Sequence, residues 1–187
     1  MSLPEIIAIG GYAYAGKDTT GTALVESYGY SRVAFAESVR DVLLDMDPLI
    51  DSGYGPVSLS WVIKDVGWDV AKREYPEVRR LMQRLGGAVR QHVGINAWVT
   101  AALRKATTPR VVFTDVRHRN ELSSLVQRGA WTLWVHRPGI GPLNNDASEN
   151  SLSSADFDHV LHNTGTPDDL PAALGELMHD MFGVAPE

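Results

Sequence analysis

Cysteine is absent from all 187 residues, which excludes disulfides, zinc–thiolate sites and thiol nucleophiles together. Lysine is scarce: Lys17, Lys64, Lys72 and Lys105 are the whole set, and every other cationic residue that stays charged is arginine. A formal net charge of -6 makes the surface repel nucleic acid rather than attract it, so neither DNA nor RNA is an expected partner. No apolar run approaches the roughly 18 residues of a membrane span, and no membrane partner is expected. No basic leader precedes the strand-like Glu5-Ile6-Ile7-Ala8-Ile9-Gly10, so the reading is a soluble cytoplasmic protein without a secretory signal. The six histidines, at 92, 118, 136, 159, 162 and 179, show no metal-ligand spacing, and none is assigned a catalytic role.

What is present is ample apolar content, 44% of the chain, enough for a substantial core in one domain spanning 1–187. Strand-like and helix-like segments alternate, which predicts α/β architecture with a largely parallel sheet of about five strands. The strand candidates are 5–10, 31–35, 110–114, 130–136 and 157–162. Helix candidates are 17–28, 37–46, 58–65, 76–92, 96–106, 117–128 and 167–182. Pro76 suits the first helical position and Gly129 a helix stop. Residues 47–75 are rich in Gly, Pro, Asp and Trp with weak periodicity. Residues 137–156 form the one long polar, turn-rich stretch, of a length that in a compact domain marks a lid or a disordered segment.

The sharpest local pattern is Gly11-Tyr12-Ala13-Tyr14-Ala15-Gly16-Lys17-Asp18-Thr19, directly after the first strand and opening a helix. Its G-x-x-x-x-G-K spacing is that of a phosphate-binding loop. Glycines let backbone N–H groups curl around phosphate oxygens, and the helix that follows adds its positive dipole end. Lys17 would then reach the β- and γ-phosphates of ATP. Asp18 stands where Ser or Thr usually holds magnesium; it could bind the metal through water or cap the helix. Thr19, one residue later, is an alternative hydroxyl for a phosphate oxygen.

These residues resemble the phage-type deoxynucleoside monophosphate kinases, within the wider nucleoside monophosphate kinase group. Lys17-Asp18-Thr19 is similar to that family's loop. Phe35-Ala36-Glu37-Ser38-Val39-Arg40 resembles its segment after the second strand. Arg79-Arg80-Leu81-Met82-Gln83-Arg84-Leu85-Gly86, running on to Arg90 and Trp98, resembles its Arg-x-Leu-Leu-Gln-x-x-Gly … Arg … Trp-Val pattern. Thr114-Asp115-Val116-Arg117 with Asn120-Glu121, then Ser148-Glu149 and Asp158 through Asn163 and Gly165, follow in the family's order. Gly87-Ala88 and Asp146 depart from the family's usual residues.

The resemblance implies a three-layer P-loop fold with a core at 1–46 and 96–187, an inserted acceptor-binding helical region at about 47–95 and a lid at about 137–156. It implies transfer of the γ-phosphoryl group of ATP, with Mg²⁺, to a deoxynucleoside monophosphate, and a viral source acting in host cytoplasm. A homodimer is compatible with the chain. By the same resemblance Arg79, Arg90 and Arg117 clamp the acceptor phosphate or the phosphoryl group in flight, where a bidentate guanidinium suits phosphate better than an ammonium. Arg117 and Asp115 follow the end of the strand at 110–114, where open α/β sheets bind ligands. Asp115 would order magnesium's water, receive a substrate hydrogen bond, or cap the following helix. Glu121 faces Arg117 one turn on, as an ion pair or a substrate contact. Arg137 would ride the lid over the phosphates, with Gly139 and Gly141 permitting hinge motion. Phe35, Tyr54, Trp61 and Trp98 offer faces for a base, Arg40 sits in the segment after the second strand, and Gln83 could read a base edge. Dephospho-coenzyme A kinase, or a nucleotide-binding module without catalysis, would share the same loop.

Overall fold

The computed structural model describes residues 2–142 and 150–186. In chain order its elements are β1 (Ile6–Gly10), α1 (Lys17–Tyr28), β2 (Ser31–Val33), α2 (Phe35–Met46), β3 (Leu49–Asp51), β4 (Pro56–Ser58), α3 (Leu59–Glu74), α4 (Pro76–His92), α5 (Ala97–Lys105), β5 (Val111–Phe113), α6 (Arg119–Val126), β6 (Trp131–His136), β7 (His159–His162) and α7 (Asp169–Phe182). Two compact units emerge: the chain up to Ala34 with the chain from Leu103 onward, and the segment Phe35–Ala102.

The first unit is an α/β three-layer fold on five parallel strands in the order β2-β5-β1-β6-β7. The central position of β1 follows from its composition. Ile7, Ala8 and Ile9 are all fully buried, so both faces of the strand are covered, the condition under which parallel strands become near-continuous apolar runs. Ile7 pairs with Val112 on one side and Trp131 on the other. Ile7 and Ile9 join Ala23, Leu24 and Tyr28 of α1 and Leu170, Leu174 and Met178 of α7 in one core. Because all strands run the same way, the loops leaving β1 and β5 emerge side by side at the carboxyl edge, where such sheets bind ligands.

The second unit is helical. Its core gathers Val39 and Leu43 of α2, Leu59, Val62 and Ala71 of α3, Val78 of α4 and Trp98 of α5. Phe35, expected to end a strand, instead opens α2. Phe35, Val39 and Leu43 are buried at helical spacing, so the 3.6-residue period wins two residues earlier than the sequence indicated. The helix expected at 58–65 runs on to Glu74, interrupted at Gly67, whose φ of 74° and ψ of 168° belong to a region open essentially to glycine alone. The hairpin of β3 and β4 was not foreseen. Its strands are only three residues each, and its turn is closed by Ser52 Oγ donating to Gly55 O at 2.7 Å. Among the described residues no helix is long and apolar enough to cross a membrane.

Candidate active site

The loop between β1 and α1 has the geometry that its glycines demand. Gly11 has φ of 145°, and a Cβ there would stand 2.6 Å from Val135 O. Gly16 has φ of 108°, and its Cβ would meet Asn163 Nδ2 at 2.7 Å and Leu170 at 2.8 Å. Both positions therefore require a residue without a side chain. Gly16 is the N-cap of α1 and is capped by no side chain; Asp18 lies inside the first turn and is not the cap. The loop's other supports are hydrogen bonds: Asn163 Nδ2 donates to Ala15 O at 2.9 Å, and Thr20 Oγ1 donates to Gly16 O at 3.0 Å. Tyr12 stands edge-on to Trp134, centroids 5.2 Å apart, and Trp134 in turn packs on Phe157 at 5.3 Å.

Lys17 is only 8% exposed. Its Nζ donates to Gly11 O and to Tyr12 O, each at 2.7 Å. A buried ammonium needs such partners. The same arrangement places the cation over its own loop, where a phosphate oxygen would meet it. Thr19 is half-buried and Asp18 exposed. The carboxylate of Asp18 pairs with Arg32 of β2, a residue that nothing in the loop motif singles out.

At the neighbouring strand end, Thr114 is buried and Asp115 half-buried. Helix α6 begins two residues later than its periodicity indicated because Glu121 takes over the preceding backbone. Its buried carboxylate accepts the N–H of Arg117 at 2.8 Å and of His118 at 3.0 Å. Glu121 is thus tied to the main chain that carries Arg117. Arg117 itself is half-buried. Arg137 leaves β6 into a turn closed by Ile140 N–H on Arg137 O at 3.1 Å, with Gly139 at φ 78°. Asp146, Ser148 and Glu149 of the expected lid lie outside the described residues. At its far end, Asp156 pairs with Arg119 at 3.2 Å. The Ser153 backbone N–H, reinforced by its hydroxyl and by Arg119, holds the Asp156 carboxyl below its ordinary range.

In the helical unit, Arg79, Gln83, Gly86 and Arg90 fall on one stripe of α4 at i, i+4, i+7 and i+11. Arg79 and Gln83 are exposed and Arg90 is half-buried. Arg80, its neighbour in sequence, is engaged by Glu77. Two of the aromatic residues expected to face a base are buried. Trp98 is 5% exposed, and its indole N–H donates to Gly86 O at 3.0 Å, so it anchors α4 from the core. Phe35 is buried likewise. Tyr54 and Trp61, by contrast, present their rings to solvent. Arg40 lies 5.6 Å from the ring centre of Trp68, and its buried Nε has no hydrogen-bond partner among the described residues. Trp68 carried no signal in the sequence beyond its type.

The model of the deoxynucleotide monophosphate kinase family matches residues 56–174, a stretch holding α4, Thr114-Asp115, Arg117 and the last strand. The chain belongs to this family. A protein of Acanthamoeba polyphaga mimivirus, provisionally named a deoxynucleotide monophosphate kinase, is 26% identical over 86% of this chain and 89% of its own length. Among solved structures, shikimate kinase from Aquifex aeolicus is similar over 96% of this chain and 99% of its own, with 14% identity and a TM-score of 0.45. Dephospho-CoA kinase from Campylobacter jejuni is similar over 96% and 98%, with 10% identity and a TM-score of 0.46. As a member of the deoxynucleotide monophosphate kinase family, the chain is a phosphotransferase with small-molecule substrates. Among its described residues no group of three or more His, Cys, Asp and Glu converges as a metal cage. Magnesium held mainly by phosphates and water does not require one.

Proposed function

We propose that the donor is ATP and that its polyphosphate lies on Gly11–Thr19, with the γ-phosphoryl group passing to a deoxynucleoside monophosphate. The carrying observation is the loop itself: two positions closed to any side chain, and a buried lysine folded over the carbonyls between them. Phosphoryl transfer asks the protein for little covalent chemistry; it asks for two anions held in line, their repulsion offset, and water kept out. Lys17 would leave the carbonyls of Gly11 and Tyr12 for the β- and γ-phosphate oxygens. The amides of Ala13 through Asp18 and the dipole of α1 would supply the remaining positive potential. Arg117, positioned through Glu121, would meet the phosphoryl group as charge develops. Arg137, at the start of the lid, would join it when the lid closes.

Magnesium, bound by the phosphates and by water ordered on Asp115, would supply further charge compensation when present. The acceptor belongs to the helical region about 47–95. Arg79 and Arg90 would hold its phosphate there, joined by Arg40 of the preceding helix α2, and Gln83 would read its base, with Tyr54 and Trp61 as exposed rings for stacking. The chain would work in the cytoplasm of a host cell, without nucleic-acid or membrane partners, as a monomer or a homodimer.

A panel of acceptors tests this reading. ADP release should be seen with one or more of dAMP, dCMP, dGMP and dTMP, and the ribonucleotide counterparts show how far the sugar is read. Turnover of dephospho-coenzyme A with no nucleotide accepted would replace the acceptor assignment. Binding of ATP without transfer to any monophosphate would remove the catalytic one.

A further inference from the structure

An aspartate directly after the loop lysine is a physical liability. Its carboxylate sits in the first turn of α1, at the mouth where a polyphosphate must enter, and like charges at that range repel. Among the described residues one cation stands against it. Arg32 projects from the edge strand β2, and its Nη2 pairs with Asp18 Oδ1. The other arm of the same guanidinium is fixed, since Nε donates to Thr114 Oγ1 at 3.0 Å. Thr114 is 1% exposed and adjoins Asp115 at the end of β5. One side chain thus links three segments that converge on the phosphate mouth. Helix α1 has a glycine where it passes this link. A Cβ on Gly21 would stand 2.5 Å from the Thr114 methyl group and 3.9 Å from Arg32 Nε.

Stability does not account for the arrangement. The Asp18 side chain is 82% exposed and that of Arg32 39%, and exposed pairs of this kind contribute little to folding. We propose that Arg32 is a positioning residue for nucleotide binding: it turns the Asp18 carboxylate aside and cancels its charge, so that the loop can accept polyphosphate despite the missing hydroxyl. Arginine rather than lysine is needed because two donors in a fixed fork must serve Asp18 and Thr114 at once. The inference rests on the reading of Gly11–Thr19 as the nucleotide site and deepens it.

The test is calorimetric binding of ADP in magnesium-free, low-salt buffer to the full chain and to three variants. Arg32→Ala should weaken ADP binding by about fivefold to tenfold, the Coulomb scale of one uncompensated charge several ångströms away at intermediate dielectric. Adding Asp18→Asn to Arg32→Ala should restore the affinity to within about twofold of the parent, because the repulsion is then gone. Asp18→Asn alone should bind as tightly as the parent or more tightly. Equal weakness in Arg32→Ala and in the double variant would overturn the proposal, since Arg32 would then be touching phosphate itself. Unchanged binding by Arg32→Ala, or loss of binding by Asp18→Asn, would overturn it as well. Should Arg32→Ala not fold, Asp18→Asn and Arg32→Lys decide alone: the lysine variant should fall between parent and alanine, and Asp18→Asn added to it should recover the deficit. Failure of the parent chain to bind ADP would defeat the nucleotide site itself, an outcome distinct from variants that bind like the parent.

Discussion

On the proposed reading, the sheet-bearing unit and the helical unit face two different recognition problems. In the first, the ligand is to be held by backbone. The decisive features are conformational: Gly11 and Gly16 in left-handed φ, Ala15 O held by Asn163, Gly16 O by Thr20, and Arg117 N–H by Glu121. Its buried polar groups, among them Lys17, Thr20, Thr114, Glu121 and Asn163, are the supports of a rigid cradle. In the second unit the candidate contacts are long side chains standing out from helices. Arg79 and Gln83 are exposed on α4, and Arg40 lies against Trp68. Phosphate is common to every nucleotide and rewards a fixed backbone site. A base and sugar differ between substrates and are read by side chains, which can be exchanged without rebuilding the fold.

The largest effect that breaks this contrast is at Lys17. Lys17→Met keeps the stem's length and apolar packing but removes the donor to Gly11 O and Tyr12 O and the charge meant for phosphate. Turnover should fall by a factor on the order of 10²–10³ or more, while a melting curve stays close to the parent's. Undiminished kcat in this variant would show that the cradle works through its amides alone.

A smaller effect, on stability rather than chemistry, sharpens the same side of the contrast. Gly16→Ala must place a Cβ against Asn163 and Leu170 while holding φ near 108°. Strain of roughly 1–2 kcal/mol adds to overpacking of about 1–3 kcal/mol, so the sheet unit should lose about 2–5 kcal/mol in denaturant titrations. Gly87→Ala, in the helical unit with open space at its Cβ, should be neutral or gain about 0.5–1 kcal/mol, since glycine is a poor helix former. Equal destabilisation by both would mean that the loop glycine is no tighter than an ordinary surface one.

That difference also explains what the sequence could reveal. The conformation of the loop after β1 was legible because glycine spacing is dictated by backbone geometry, and the burial of Ile7, Ala8 and Ile9 was written in a run of apolar residues. Helix α4 was legible from Pro76 and its period. The hairpin of β3 and β4 escaped because three-residue strands leave no alternation to read. Arg32 escaped because its partners, Asp18 and Thr114, are 14 and 82 residues away along the chain, and only the order of strands brings them together. Glu121 was placed on the correct face, but that its carboxylate takes the backbone N–H groups of Arg117 and His118 depends on where α6 begins, which spacing does not show. Trp98 looked like a base platform by residue type, whereas its burial follows from α5 facing the core of Val39, Leu59 and Val78.

The smallest expected effect probes the helical unit through a residue that touches no substrate in the proposed scheme. Trp68 follows the break at Gly67 and places its ring 5.6 Å from Arg40; a guanidinium over an indole gains about 0.5–2 kcal/mol according to its desolvation. Trp68→Leu should therefore let Arg40 wander and raise the KM for the monophosphate by about two- to thirtyfold, the same energy expressed as a ratio. The KM for ATP should hold steady, because the nucleotide cradle belongs to the other unit. Trp68→Phe keeps an aromatic face and should recover most of the loss, which a mere packing defect filled by leucine would not predict. Arg40→Ala should match Trp68→Leu in kind and exceed it in size. If both KM values rise together, or if phenylalanine is no better than leucine, the ring is packing and not an orienting surface. The division of labour between a backbone cradle and a side-chain reader would then need a different residue to support it.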